Sequence, residues 1–357
     1  MMADGYFQRL TRLTPTRFWV NNPTRDEADL AIAAGAVACT CNPSYGQKMV
    51  EHPGEGAYAR RLLDEAVAES ATDPGATAVL QRKLVKPIMD RFLPLWQGDP
   101  SRYGYVSIQG DPIREESAAA ILEEAEPNRR LAPNACIKVP CTAAGLEAMG
   151  SLLGDGACVN ATEVMSVAQT LSLVDLYERV TSGRARRPVM FVSHIAGIYD
   201  DYLQQWAAKS GVDVEPDVLW QAGLAVARRV YEVMRARGTP QIFIGGGARG
   251  LHHFTELVGG DLVVTINWVG TADRLIAENP AVVYRLFNPV PDHVVGELID
   301  KVPDFRRAYL DDGLAVEEYE EFGGVEHFRH MFVSGWKRVE ALAHERRAAL
   351  AEGGGQR

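Results

Sequence analysis

One lysine in this chain sits where a lysine is hard to keep. Cys136-Ile137-Lys138-Val139-Pro140 places an amine inside an apolar run, one residue before the run ends. An ammonium buried in such a run must find a partner or shed its proton. A lysine that sheds it becomes a nucleophile towards carbonyl carbon, which is the opening of Schiff-base chemistry. The same run also suits a lysine that snorkels out of the core or closes a structural ion pair. The local pattern leaves both readings open.

Polar residues recur at the ends of other apolar runs. Asn21-Asn22 closes one and Thr40-Cys41-Asn42-Pro43-Ser44 another. Ser107-Ile108-Gln109-Gly110-Asp111, Asn160-Ala161-Thr162-Glu163, Ser193-His194 and Gly245-Gly246-Gly247-Ala248-Arg249 continue the series. Amides and hydroxyls gathered around one lysine suit a polyol substrate. Asn and Thr at such ends also cap helices and make turns, their ordinary structural use. His194 has an unperturbed pKa suited to proton transfer, but strand alternation turns it away from whatever Ser193 faces. With His252 and His253 it forms no recognisable ligand spacing, and neither a metal nor another cofactor is expected.

These ends matter only if the elements bring them together. The strand-like runs are Arg17–Asn21, Ala36–Thr40, Tyr105–Gln109, Cys136–Val139, Ala157–Asn160, Val189–Ser193, Gln241–Ile244 and Leu262–Ile266. Most are continuous rather than alternating, as parallel strands buried on both faces are. Helical patterns separate them at Arg25–Gly35, Glu115–Glu126, Thr142–Leu153, Glu163–Ser182, Asp217–Arg237 and Thr271–Glu278. Eight strands, nearly all followed by a helix, predict an α/β fold of the (β/α)8 TIM-barrel type over an open sheet. No GxGxxG follows the first strand, which weakens a dinucleotide-binding reading. The chain reads as one barrel domain over 1–357. Extra helices are expected after strand 2 at 49–99, and a helical C-terminal extension at 287–352 with one long helix at His327–Leu350. A disordered tail is expected at 353–357.

Composition narrows the partners. The net charge is −10, from 37 basic and 47 acidic residues, without a block of like charge. No basic footprint for nucleic acid is present. The five cysteines form no CxxC pair and read as reduced thiols. No run has the length of a signal peptide or a membrane helix, so a cytoplasmic location without membrane contact is expected. The expected partner is a small sugar or sugar phosphate; a homo-oligomer is possible.

Four stretches taken in order resemble a known family. They are Cys41-Asn42-Pro43-Ser44; Ile137-Lys138-Val139-Pro140 with Thr142-Ala143-Ala144-Gly145-Leu146; Val159-Asn160-Ala161-Thr162 with Ala168-Gln169; and Phe322-Gly323-Gly324-Val325 with Phe332–Trp336. They look like the transaldolase family, including its smaller fructose-6-phosphate aldolase-like members, from about Arg17 to Trp268. The lysine run is the most specific of them. The resemblance implies that Lys138 forms a Schiff base with a ketose, after which the adjacent C–C bond is cleaved. It implies that Asn42 and Asn160 hold the dihydroxyacetone unit, and that Thr162 holds a catalytic water with Gln109 beside it. Ser193 would line the same wall and Arg249 would bind phosphate.

Three positions depart from that family. Asn21 stands where it carries an aspartate, Gln109 where typical members carry a glutamate, and Ile198 where it carries an arginine. Neutral amides orient hydroxyls but exchange no protons near pH 7. His194 and Glu163 could compensate, although Glu163 also suits the first turn of a helix. Asp111 matches a family acid and reads as structural. The leading expectation is a class I aldolase or transaldolase transferring or releasing a three-carbon unit. The alternatives are a different imine-based reaction (isomerisation, dehydration or aldol addition) and a degenerate barrel that only binds sugar.

Overall fold

The computed structural model describes residues 5–354. Among these, eight parallel strands close into a barrel in chain order. They are β1 (Arg17–Asn21), β2 (Ala38–Cys41), β3 (Val106–Gln109), β4 (Ala135–Pro140), β5 (Val159–Val164), β6 (Met190–His194), β7 (Ile242–Gly245) and β8 (Val263–Asn267). Their continuous apolar character follows from burial on both faces, inward into the barrel and outward against helices. Every residue of β4 and β5 is buried. The expected (β/α)8 barrel is the fold.

Alternation sorts the barrel interior by height. Trp19, Ala38, Tyr105, Cys136, Phe191, Ile244 and Val263 pack as one apolar cluster towards the N-terminal end. Trp19 and Phe191 meet edge to face with centroids 4.7 Å apart. Side chains two residues apart share a strand face. The next inward layer is therefore Asn21, Thr40, Ser107, Lys138, Ser193 and Thr265, all polar. Register sets Lys138 level with Gln109 on β3 and Asn160 on β5.

The helices begin where capping chemistry starts them. Thr24 and Glu27 form a capping box for Arg25–Ala34, and Ser166 and Gln169 form one for Val167–Thr181. After β4, Thr142 caps Ala143–Gly154 through Gly145 N–H. A Cβ on Gly145 would stand 1.8 Å from the Pro140 carbonyl oxygen, so only glycine lets this helix start tight against the lysine strand. Helix Ala196–Ser210 after β6 was not evident from the sequence, and the β7 connection holds only the short turn His252–Thr255.

Two additions shape the barrel mouth. Between β2 and β3 lie Tyr45–Glu51, Gly56–Glu69 and Asp73–Gly98, the first beginning ahead of the expected 49–99. At the far end, Gly323–Gly354 extends past the expected His327–Leu350 on both sides. Of the tail expected to be disordered, the helix takes in Gly353 and Gly354, and 355–357 lie outside the described residues. This closing helix lies over the mouth: a Cβ on its Gly335 would sit 2.7 Å from Ser44 Oγ. None of the described helices is long and apolar enough to cross a membrane.

Candidate active site

Lys138 ends 5% exposed at the C-terminal end of β4, where barrel active sites form. Its Nζ lies 4.7 Å from the Phe332 ring centroid and 5.7 Å from that of Phe328, both on the closing helix. Burial pushes its pKa down to about 8, against the pull of Glu163, Glu115 and Cys41. That shift matters: near pH 7.5 roughly a quarter of such an amine is neutral, against roughly a thousandth for an ordinary lysine. The snorkelling reading fails, because aromatic rings rather than solvent cover the amine.

The lysine opens onto a cavity of about 450 Å³. Asn21, Asn42, Ser193 and Arg249 line it, as do Asn22, Lys48, Asn267 and Phe332. On the β1, β2 and β8 side the wall is made of amides that hold one another. Asn21 Nδ2 donates to Asn267 Oδ1 at 2.9 Å, and Asn22 Nδ2 donates to Asn42 Oδ1 at 2.9 Å. Asn22 Oδ1 in turn accepts from Asn42 N–H, fixing the turn after β2. Asn22 does this from a left-handed backbone, φ 46°. Lys48 Nζ donates to the Asn22 carbonyl at 2.7 Å and pairs with Glu27 at 3.2 Å, so this cation braces the wall.

Asn160 does not line the cavity. Its Nδ2 donates to Ser107 Oγ at 2.9 Å and its Oδ1 accepts from Ser193 Oγ at 2.7 Å. It ties three strands together under Lys138 and presents Ser193.

Beside Lys138, on the β3 to β5 side, the wall is charged and buried. Gln109 Nε2 donates to Glu115 Oε1 at 2.7 Å. Burial, then the neighbouring Glu163, raises the Glu115 pKa to about 8, against Gln109, Arg329 and Lys138. Burial raises Glu163 to about 7, opposed by Arg329, Lys138 and Gln109. Arg329 Nε reaches down from the closing helix to 3.9 Å from Glu163 Oε2. Thr162 is wholly buried, with Oγ1 unpartnered.

The glycine turn after β7 carries Arg249, whose Nη2 lies 3.7 Å from Asp201. His253 positions that turn. Its Nδ1 accepts from the N–H groups of Arg249 and Gly250, so Nε2 carries the proton and donates to Asp200 at 2.9 Å. Asp200, His252 and His253 come within metal-ligand reach of one another. Both nitrogens of His253 are already engaged in holding the turn. Ile198 lines the cavity near Arg249 and adds no second cation.

Besides Asn160, which was expected to hold substrate and is instead engaged by Ser107 and Ser193, two expectations need correction. His194 points out of the barrel: Nδ1 lies 2.9 Å from the Val164 carbonyl and Nε2 3.0 Å from that of Gly223. Burial drives its pKa down to about 4. Neutral, it has one N–H to donate to one of these two carbonyls, and it is no acid or base for the cavity. Glu163 is not in the first turn of a helix. It is the fifth residue of β5, at a slip in the pairing with β6 between Ala161 and Val164, with φ 58°. Sequence reading gave no part in the site to Glu115, Arg329 or Phe332. The i, i+4 spacing of Phe328 and Phe332 on a long helix was the available signal for the last.

A family model described as Transaldolase/Fructose-6-phosphate aldolase matches residues 18–279. A protein named Transaldolase 1 from Streptomyces avermitilis is 31% identical over 217 residues, covering 57% of this chain and 56% of that protein. One named Transaldolase from Neisseria gonorrhoeae is 26% identical over 316 residues, covering 84% of this chain and 82% of its own length. Another so named, from Mycobacterium tuberculosis, is 26% identical over 235 residues, 61% of each. The chain thus spans little more than half the length of the Streptomyces relative and about four fifths of the Neisseria one.

Proposed function

Because this chain belongs to the transaldolase/fructose-6-phosphate aldolase family, we propose that it is a transaldolase-like enzyme. In this reading it forms a Schiff base between Lys138 and a ketose or ketose phosphate, then transfers or releases a three-carbon dihydroxyacetone unit. The observation that carries this is Lys138 itself: a desolvated amine with a pKa near 8, opening onto a cavity walled by amides and hydroxyls. Neutral Nζ attacks the ketose carbonyl, and loss of water gives an iminium that withdraws electrons from the neighbouring C–C bond. Asn42 and Ser193 meet substrate hydroxyls, and Asn160 fixes Ser193. Arg249, with Gly247 and Ala248 of its turn at the cavity wall, receives a phosphate. No cofactor is needed for this chemistry. A cytoplasmic location is part of the same proposal.

One observation favours a second reading, an imine-based reaction other than cleavage. The Asn21–Asn267 amide pair holds no group that can take the proton released when the C–C bond opens. Incubation of ketose phosphates with acceptor aldehydes, followed by mass spectrometry of the products, tests the choice. Transfer of three carbons is expected; an isomerised or dehydrated ketose would select the second reading.

A further inference from the structure

We propose that Glu163 is the acid and base for imine formation at Lys138, held by Arg329 and backed by the Gln109–Glu115 pair. The proposal rests on the Schiff-base reading of Lys138.

Polar satisfaction is the first support. Glu163 is wholly buried, yet neither carboxylate oxygen has a hydrogen-bond partner in the chain. Thr162 Oγ1, Gln109 Oε1 and Glu115 Oε2 are buried and unpartnered beside it. Cores leave few such atoms, and each one needs a reason. A group of them around the one buried lysine suits a site that exchanges protons with an arriving substrate.

Backbone geometry is the second. Glu163 is a non-glycine residue at φ 58° inside a strand irregularity. Such a conformation is held at a cost of about 1–3 kcal/mol, and bulges re-aim side chains next to active sites. Regular alternation would send Glu163 to the outer face with Ala161. The slip instead turns it towards the mouth, where Arg329 of the closing helix meets it.

Electrostatic reach to the lysine is the third: the charges of Glu163 and Lys138 act on one another across the buried wall. Glu115 has one oxygen engaged by Gln109, whereas Glu163 has only the 3.9 Å approach of Arg329, which makes Glu163 the exchanging member. The charged and titratable groups that bear on it are Lys138 of β4, Arg329 and Glu320 from the C-terminal extension, Glu115 after β3 and Cys141 after β4.

The step balances. Neutral Nζ forms the C–N bond to the ketose carbonyl carbon, and a nitrogen proton moves to the former carbonyl oxygen, giving the carbinolamine. Protonated Glu163 gives its proton to that hydroxyl. The C–O bond breaks, water leaves, and the nitrogen lone pair closes the C=N bond. Iminium, carboxylate and one water result, with no change of oxidation state. Hydrolysis runs the same path backwards and returns the proton to Glu163.

The experiment measures the rate of borohydride trapping at Lys138 across pH with dihydroxyacetone as probe, for wild type, Glu163→Gln and Arg329→Gln. Wild type should show a bell, rising as Lys138 loses its proton and falling as Glu163 loses its own. Glu163→Gln should trap about 10²-fold more slowly and lose the alkaline limb. Arg329 lowers the Glu163 pKa, so Arg329→Gln should move that limb to higher pH. A purely structural role for either residue would leave the limb where it is. No adduct on wild type overturns the Schiff-base reading and this proposal together. An adduct on wild type, with Glu163→Gln trapping at a similar rate on an unchanged profile, overturns this proposal alone. Should Glu163→Gln fail to fold, an alkaline limb unmoved by Arg329→Gln overturns it equally.

Discussion

The two walls of the cavity are built on opposite principles. On the β1, β2 and β8 side, Asn21, Asn22, Asn42 and Asn267 pair amide with amide, and the cations of that wall are tied to carboxylates or backbone. On the β3 to β5 side, Glu115 and Glu163 are buried, close to Lys138, and short of partners. The first wall can orient hydroxyls but cannot take a proton near pH 7; the second can do both. Under the proposed function, imine formation would be the step well supplied with protons and C–C cleavage the poorly supplied one.

The largest test of that contrast is Lys138→Ala. It should abolish trapping and lower any turnover by about 10⁴-fold or more, while thermal unfolding shows an intact barrel. Turnover surviving in that variant would remove the charged wall from the reaction. Asn21→Asp attacks the comparison from the other side, by placing a proton acceptor on the amide wall. It should raise C–C cleavage by about 10²-fold and leave the trapping rate near wild type, read by single-turnover product release against adduct formation. Equal gains in both would mean that the wall does not limit cleavage.

Arg249→Ala should raise KM for phosphorylated ketoses by about tenfold and leave unphosphorylated ones almost unchanged, since one cation serves the glycine turn and Ile198 adds none. His194→Ala should have the smallest effect on the reaction. It strips the Val164 and Gly223 carbonyls of their imidazole and leaves a buried void. A loss of about 2–4 kcal/mol in unfolding experiments is expected, with the pH profile of trapping unmoved. A shifted profile would return His194 to the chemistry.

The sequence carried the amide wall better than the charged one, for physical reasons. Lys138, Asn21 and Ser193 stand at inward positions of regular strands, where a period of two decides the face, and Asn42 follows directly on β2. The eight strands were visible as short apolar runs, to within a few residues. Glu163 was named as an acid that could compensate, but its placement was not legible, because a strand slip reverses its face and nothing in Asn160-Ala161-Thr162-Glu163 announces a left-handed residue. Glu115 was hidden because an acid ahead of a helical run is the ordinary companion of a helix dipole. Arg329 and Phe332 reach the lysine from the other end of the chain, through a packing of the closing helix that no local pattern encodes. His194 illustrates the converse: its residue type argued for chemistry, while alternation had already turned it outwards.

The central claim is covalent chemistry at Lys138. Borohydride reduction in the presence of a ketose panel, followed by mass spectrometry of the digested protein, tests it most directly. The account predicts one added sugar fragment, carried by the peptide containing Lys138, whose mass identifies the donor carbon unit. No adduct with any ketose, or an adduct on another lysine with Lys138 unmodified, would contradict it.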